Sequence, residues 1–343
     1  MKLKHLLYVP IAALAISCGD SGEKAEGANA ETDNAKKPEA GVYLDRSENP
    51  LMERYPKVPE TLTEYASAKE AGKKAYKELQ DRYAANFATL KQKVEASGAK
   101  FVLLIVTPTA TQGMQADEMA GINFIRSVAA KNGAATIDLT AALNTQSPKK
   151  VTQVPKDGHW SKDGSVFLTN EVAKVLPQYF SVKNATTFAN KPETFGDLDI
   201  NSDQILDGGK GLPYHVTTNA KGMRMKGDIT FPKTKQRILF MGDSEIYSPF
   251  LDDEYIMTYL LQQKFTDREI LNASAIGYTL DDYISLYEEK AKFSEPDVVI
   301  VATNPADITD FYFSQRNRNA RSFKAYEPTT NEVNLYKALY GSK

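Results

Sequence analysis

The chain has 343 residues, with 42 Lys and Arg against 44 Asp and Glu, a formal net charge of −2 and a single cysteine. This near-neutral balance, without a long basic block, gives no electrostatic footprint for nucleic acid, and one cysteine excludes an internal disulfide. An apolar fraction of 42% with 25% charged residues is that of a globular protein, long enough for one large domain or two ordinary ones.

Lys2 and Lys4 precede an apolar run from Leu6 to Ile16 that is too short to span a bilayer, the layout of a secretory signal peptide. It ends at Leu14-Ala15-Ile16-Ser17-Cys18, which resembles a bacterial lipobox. That resemblance implies cleavage before Cys18 and lipid attachment to it. The alternative is an ordinary signal peptide that contains a cysteine. On either reading the protein is expected to be exported, and on the first it is lipid-anchored to a bacterial membrane, facing the periplasm or cell surface. Residues 19–42 are mostly Gly, Ser, Ala, Glu, Lys, Asn and Asp, a composition that cannot bury enough surface to offset its ordering entropy. They are expected to form a flexible tether.

The folded region is expected to start near Tyr43. Glu60 to Ser97 reads as helical with one or two breaks, and Gly98 stands where a C-cap would. Phe101 to Val106 is a buried strand ending at Thr107-Pro108-Thr109. A helix over about Asp117–Lys131 closes at Asn132-Gly133, and Ala135–Leu139 is a short strand. After Ser147 the chain is irregular until Asp157-Gly158-His159-Trp160, and a helix follows over about Lys162–Leu176. Residues 181–235, rich in Asn, Gly, Thr and Pro, break the rhythm and read as a small β-rich insertion, with runs at Tyr214–Thr218 and Met223–Thr230. The alternation then resumes with a strand from Arg237 to Met241, a helix over Asp252–Phe265, a strand over Glu269–Ala273, a helix over Leu280–Phe293 and a strand over Asp297–Ala302. This pattern predicts an α/β fold, one three-layer α/β/α domain on a parallel sheet, interrupted by the insertion.

Gly242-Asp243-Ser244 closes the strand that begins at Arg237. Loops at the carboxyl ends of parallel strands are where ligands and catalytic groups gather, so Ser244 is a candidate nucleophile; the other reading is a helix cap made by Asp243 or Ser244. Only His159 and His215 remain as bases once His5 leaves with the signal. His159 has Asp157 two residues away, able to reach Nδ1, fix the tautomer and stabilise the imidazolium. His215, in Tyr214-His215-Val216, has no carboxylate near it in sequence and reads as structural or at the edge of a substrate site. Asn272-Ala273-Ser274-Ala275-Ile276-Gly277 and Thr303-Asn304 each follow a strand, so the Gly277 N–H and the Asn304 side-chain amide are candidate oxyanion donors beside Ser244.

Taken together, Gly242-Asp243-Ser244, Asn-Ala-Ser-x-x-Gly277 and Thr-Asn304 resemble the first three blocks of the SGNH (GDSL-type) hydrolase superfamily, over about Tyr214 to Asp307 and including the lead-in Thr217-Thr218-Asn219-Ala220-Lys221-Gly222-Met223-Arg224. The resemblance implies Ser244 as nucleophile, with its own N–H, that of Gly277 and the Asn304 amide as oxyanion hole. Most of that superfamily carries its Asp-x-x-His near the C-terminus, whereas here Asp157-x-His159-Trp160 lies upstream of the serine. That order is similar to the alginate O-acetyltransferase (AlgJ/AlgX-like) group, exported enzymes acting on exopolysaccharides. Gly158 stands where that group more often has Thr or Ser, and Pro305 where Asp is common.

The resemblance implies one SGNH-like catalytic domain over residues 43–343 with its insertion at about 181–235, and a serine acyl-enzyme with a Ser244-His159-Asp157 triad. It implies an O-acetyltransferase for a cell-surface or exported polysaccharide. A carbohydrate O-acetylesterase, or a catalytically inactive lipid-tethered polysaccharide-binding subunit, are the other readings. Trp160, Tyr247, Tyr278 and Tyr312 are candidates to line a sugar site. The expected partners are a polysaccharide or acetylated sugar, a membrane-bound acyltransferase supplying acetyl groups, and the membrane itself through the N-terminal lipid. No cofactor and no metal is expected.

Overall fold

The computed structural model describes residues 70–309 apart from 208–209. The signal segment, Cys18, the tether, Tyr312 and the polar stretch from Arg316 lie outside the described residues.

Helix α1 (Glu70–Ala96) runs 27 residues without a break in its described part. It buries Leu79, Tyr83, Phe87, Leu90 and Val94, three or four residues apart and so on one stripe. Gly98 ends it at φ +85°, where an added Cβ would fall 2.4 Å from Asn184 Oδ1. Strand β1 (Lys100–Ile105), helix α2 (Ala116–Lys131) and strand β2 (Ala135–Asp138) follow as expected. Two single helical turns, Thr140–Leu143 and Pro148–Val151, carry the chain to helix α3 (Lys162–Val175).

The insertion holds less β-structure than expected. Its ladder is one antiparallel hairpin, β3 (Asp203–Leu206) with β4 (Tyr214–Thr217), and Met223–Thr230 is not a strand. The reason lies in Arg224, whose N–H goes to Asn272 O and whose side chain turns inward rather than alternating along a sheet face. The remaining elements are β5 (Gln236–Met241), a single turn α4 (Ser244–Tyr247), α5 (Met257–Lys264), β6 (Arg268–Asn272), α6 (Leu280–Glu289) and β7 (Val298–Thr303). The helix expected over Asp252–Phe265 is split: a 3-10 turn at Asp253–Tyr255 precedes α5, because Ile256 between them is extended (φ −74°, ψ 146°).

The five sheet strands are parallel in the order β2-β1-β7-β5-β6. The last strand is therefore the central one, joining the β2-β1 half to the β5-β6 half. All six residues of β7 are buried, as a strand covered on both faces must be. Helices α1 and α6 pack together, as do α3 and α5, and these pairs cover the sheet. Among the described residues no helix is long and apolar enough to cross a membrane.

Candidate active site

The strand order decides what shares the carboxyl edge of the sheet. β5 ends at Met241 and leads to Ser244; its neighbours β7 and β6 lead to Asn304 and to Gly277. Three sequence-predicted residues, each more than 25 positions from the others in the chain, are thus delivered by three adjacent parallel strands, with the serine in the middle.

Gly242 permits the sharp exit from β5: a Cβ there would lie 2.7 Å from Ile246 Cγ1 and 3.2 Å from the Ala302 Cβ. Asp243, not Ser244, is the helix cap, accepting the Glu245 N–H through Oδ1 at 2.9 Å. The cap reading is therefore met by Asp243, and the Ser244 side chain is not the cap. Asp243 has a second task that its place in the motif did not reveal. Its Oδ2 accepts one hydrogen of the Asn304 amide at 2.9 Å, while Asn304 Oδ1 accepts the Ala306 N–H and Asn304 N donates to Asp307. The amide rotamer is thereby fixed, and its second hydrogen is left for another acceptor. On the other flank the 273–277 loop is tied to the serine turn by Ala275 N–H to Gly242 O at 3.1 Å, and Gly277 is exposed at φ +75°, a left-handed conformation that suits glycine. Among the described residues, no hydrogen bond engages the N–H of Ser244 or of Gly277.

The histidine arrives on a separate loop. Thr152 and Trp160 form an antiparallel bridge, Ser161 caps α3 by accepting the Gly164 N–H, and a Cβ on Gly164 would meet Val151 O at 1.9 Å. Gly164 is thus required by close packing of the helix on this loop. Within it Asp157 Oδ1 accepts both the His159 N–H (2.8 Å) and, at 2.5 Å, the Nδ1 hydrogen, which leaves Nε2 to act as base. Burial, the largest influence, pushes the Asp157 carboxyl up. The hydrogen bond and charge of His159, with the backbone N–H, outweigh it and bring the carboxyl below its ordinary value. His159 itself is only 4% exposed. Its ring meets the Phe250 ring edge-on at 6.1 Å, and Gln153 ties the two loops by donating to Trp160 O (3.1 Å) and Phe250 O (3.3 Å). The histidine loop is thus seated on the segment that follows Ser244. Among the described residues no hydrogen bond joins Ser244 Oγ to the imidazole; triad contacts of this kind are often loose until substrate binds.

The aromatic residues expected to face a sugar are inside instead. Trp160 is 1% exposed, Tyr247 2% and Tyr278 7%, and the Tyr278 hydroxyl is spent on Asp197 at 2.9 Å. All three are packed into the interior around the site. His215, read as structural or at a substrate edge, pairs across the hairpin with Asp203, and its Nδ1 lies 4.0 Å from Asp253. Those carboxylates are distant in sequence, so only the fold brings them near. Phe250 and Gln153 left no sequence signal for their contacts with the histidine loop. Among the described residues no group of three or more His, Cys, Asp or Glu is arranged to hold a metal ion.

The chain has structural likeness to the O-acetyltransferase domain of Pseudomonas putida AlgJ (16% identity, TM-score 0.44, 73% of this chain and 92% of that one). It is also similar to Pseudomonas aeruginosa AlgX (15%, 0.38, 80% and 64%) and Bacillus cereus PatB1 (12%, 0.40, 70% and 93%). At such scores these likenesses carry no functional weight. No curated protein sequence matches the chain. The family model for the SGNH hydrolase-like domain of acetyltransferase AlgX matches residues 63–301, well over half of the chain. That span takes in Asp157, His159, Ser244 and Gly277 and stops just before Asn304, so this chain belongs to the AlgX-type SGNH hydrolase-like acetyltransferase family.

Proposed function

We propose that the protein is a serine-dependent O-acetyltransferase that moves an acetyl group onto a hydroxyl of a cell-surface or exported polysaccharide. The observation that carries this reading is the sheet order, which delivers Ser244 between Asn304 and Gly277 on one edge. In the proposed reaction His159 Nε2 takes the Ser244 hydroxyl proton as Oγ bonds to the carbonyl carbon of an acetyl donor. The oxyanion is held by the N–H groups of Ser244 and Gly277 and by the second Asn304 amide hydrogen. Collapse breaks the bond to the donor oxygen, which leaves with the proton from the imidazolium. The acetyl-serine is then attacked by a sugar hydroxyl, deprotonated by the same nitrogen, and Ser244 regains its proton as the acetylated sugar departs. Asp157 stays ionised throughout and holds the ring in the required tautomer.

Lys2, Lys4, the apolar run to Ile16 and Cys18 support export and lipid anchoring, which would place the site beside a membrane, within reach of a membrane-bound acetyl supplier and a nascent polymer. A second reading, hydrolysis of acetylated sugar, is favoured by one feature: Ser244 is only half-buried and Gly277 is exposed, so water has access to an acetyl-serine.

The test is acetyl release from a chromogenic acetyl ester, with and without a soluble oligosaccharide acceptor, followed by mass spectrometry of the sugar. Acetylated sugar formed by the wild type and by neither Ser244→Ala nor His159→Ala supports the transferase. Acetate alone supports the esterase. No turnover with either acceptor removes both, leaving a binding subunit.

A further inference from the structure

The lead-in motif from Thr217 to Arg224 is not used by the chemistry above, yet it ends in a wholly buried arginine. Asn219 folds it into a tight turn, its Oδ1 accepting the N–H groups of Lys221 (3.0 Å) and Met223 (3.1 Å). Gly222 completes the turn at φ +70°, where a Cβ would lie 2.7 Å from Leu198 O. The turn aims Arg224 inward and ties its N–H to Asn272 O at 3.1 Å, at the root of the loop that carries Gly277.

An arginine side chain has five N–H donors in a fixed planar fork, and here each has an acceptor. Nε donates to Asp253 Oδ1 at 3.0 Å. Nη1 donates to the carbonyls of Tyr247 (2.6 Å) and Ser248 (3.0 Å), and Nη2 to those of His215 (3.2 Å) and Leu251 (2.6 Å). Three of the five acceptors belong to the segment directly after Ser244, and that segment holds two non-glycine residues in left-handed conformation, Ser248 (φ 60°) and Phe250 (φ 64°). Such residues persist only where their surroundings over-determine them. The carbonyls taken by Arg224 bracket both, and the side chain between them, Phe250, is the one that meets the His159 ring.

We propose that Arg224 is a positioning residue for the catalytic reaction: it locks the 247–251 turn, and through Phe250 sets the His159 ring relative to Ser244. This rests on Ser244 and His159 being nucleophile and base. A Lys at 224 keeps the charge beside Asp253 but has three donors on one nitrogen, so it cannot hold carbonyls on both sides of the strained turn.

The experiment compares wild type and Arg224→Lys for kcat and KM on a chromogenic acetyl ester, and for the rate of Ser244 labelling by a serine-directed phosphonate, at a temperature where both are folded by circular dichroism. A small misplacement of reacting groups costs on the order of 100-fold. We expect kcat and labelling rate to fall by about 10- to 100-fold with KM changed less than about twofold. A folded Arg224→Lys with wild-type kcat and labelling rate overturns the inference. If Arg224→Lys does not fold, Phe250→Leu carries the same test, with a fall of about tenfold expected in kcat and an unchanged kcat overturning the inference. Where both variants fold, Arg224→Lys/Phe250→Leu should fall little further than the worse single variant, and fully additive losses overturn the shared route. Failure of the underlying reading is seen separately: Ser244→Ala would then retain wild-type turnover. An inactive Ser244→Ala beside a fully active Arg224→Lys removes the present inference alone.

Discussion

The two ends of one sheet treat their polar groups in opposite ways. At the amino edge, Asp297 accepts the N–H of Asn184 (2.6 Å) and of Arg237 (2.7 Å), and the Lys233 ammonium at 3.0 Å. The buried Arg237 guanidinium is shared among Glu269, Ser294 O and Thr230 O, and Lys233 also reaches Asn184 O and Glu295 O. Each of these groups is bonded within the protein. At the carboxyl edge the N–H groups of Ser244 and Gly277 and one hydrogen of the Asn304 amide point to no partner among the described residues, while the groups behind them, Asp243, Asp157 and Arg224, are held by hydrogen bonds. A closed network contributes stability; an edge with open donors on a rigid backing is poised to stabilise charge that arrives only during reaction. The comparison predicts that activity and stability can be damaged separately, one from each end.

The largest effect should come from Ser244→Ala. Removing the proposed nucleophile should lower kcat by about 10⁴-fold or more. Ser244 Oγ has no hydrogen bond among the described residues, so the melting temperature should hardly move. Parallel ester assays and thermal melts check both; a large drop in Tm would break the claim that this edge is held from behind. Asp157→Asn comes next. An Asn Oδ1 can still accept both His159 hydrogens, but the neutral amide no longer stabilises the imidazolium, and a flipped amide imposes the wrong tautomer, so the change should cost about 10³- to 10⁴-fold in kcat. This carboxyl also links the site to stability. Its folded pKa lies below the ordinary 3.8, so its contribution is fully present above that value and is lost as pH falls through the folded value. Acid titration of stability should therefore separate wild type from Asp157→Asn at neutral pH and bring them together as pH falls below the folded value.

Much of this was legible in the chain. Strands such as Val298–Thr303 are continuous apolar runs because both faces are covered, and the stripe from Leu79 to Val94 is a helix face whatever it packs on. Ser244, Gly277 and Asn304 could be placed on one edge because parallel strands share their carboxyl ends. Sequence could not place what depends on contacts between distant segments. Asp203–Leu206 has no strand signature of its own and is ordered by pairing with Tyr214–Thr217. His215 looked isolated because Asp203 and Asp253 reach it through space, and Trp160, Tyr247 and Tyr278 looked like sugar platforms because amphipathic rings give no hint of which side is filled. Arg224 was visible as a motif residue, but its five acceptors come from two separate stretches, at His215 and over 247–253.

Smaller effects sharpen the contrast between the two edges. Asn304→Ala removes one proposed oxyanion donor and should lower kcat by about 10²- to 10³-fold. It also leaves Asp243 Oδ2 short of a partner, so a modest stability loss should accompany it. Asp297→Asn is the matching change at the opposite edge. Its amide nitrogen would face donors, the N–H of Asn184 or Arg237 and the Lys233 ammonium, in a site where Asp297 is buried. Unsatisfied buried donors and an unpaired lysine should cost about 3 kcal/mol, seen as a fall of about 6–12 °C in Tm for a domain of this size. Turnover per folded molecule should stay within about twofold, since no group of that network reaches the serine edge. If Asp297→Asn instead lowered kcat as much as Asn304→Ala while still folded, strain at the amino edge would be travelling the length of β5 to Ser244. The two edges would then be coupled, and the sheet could not be read as a passive support for the site.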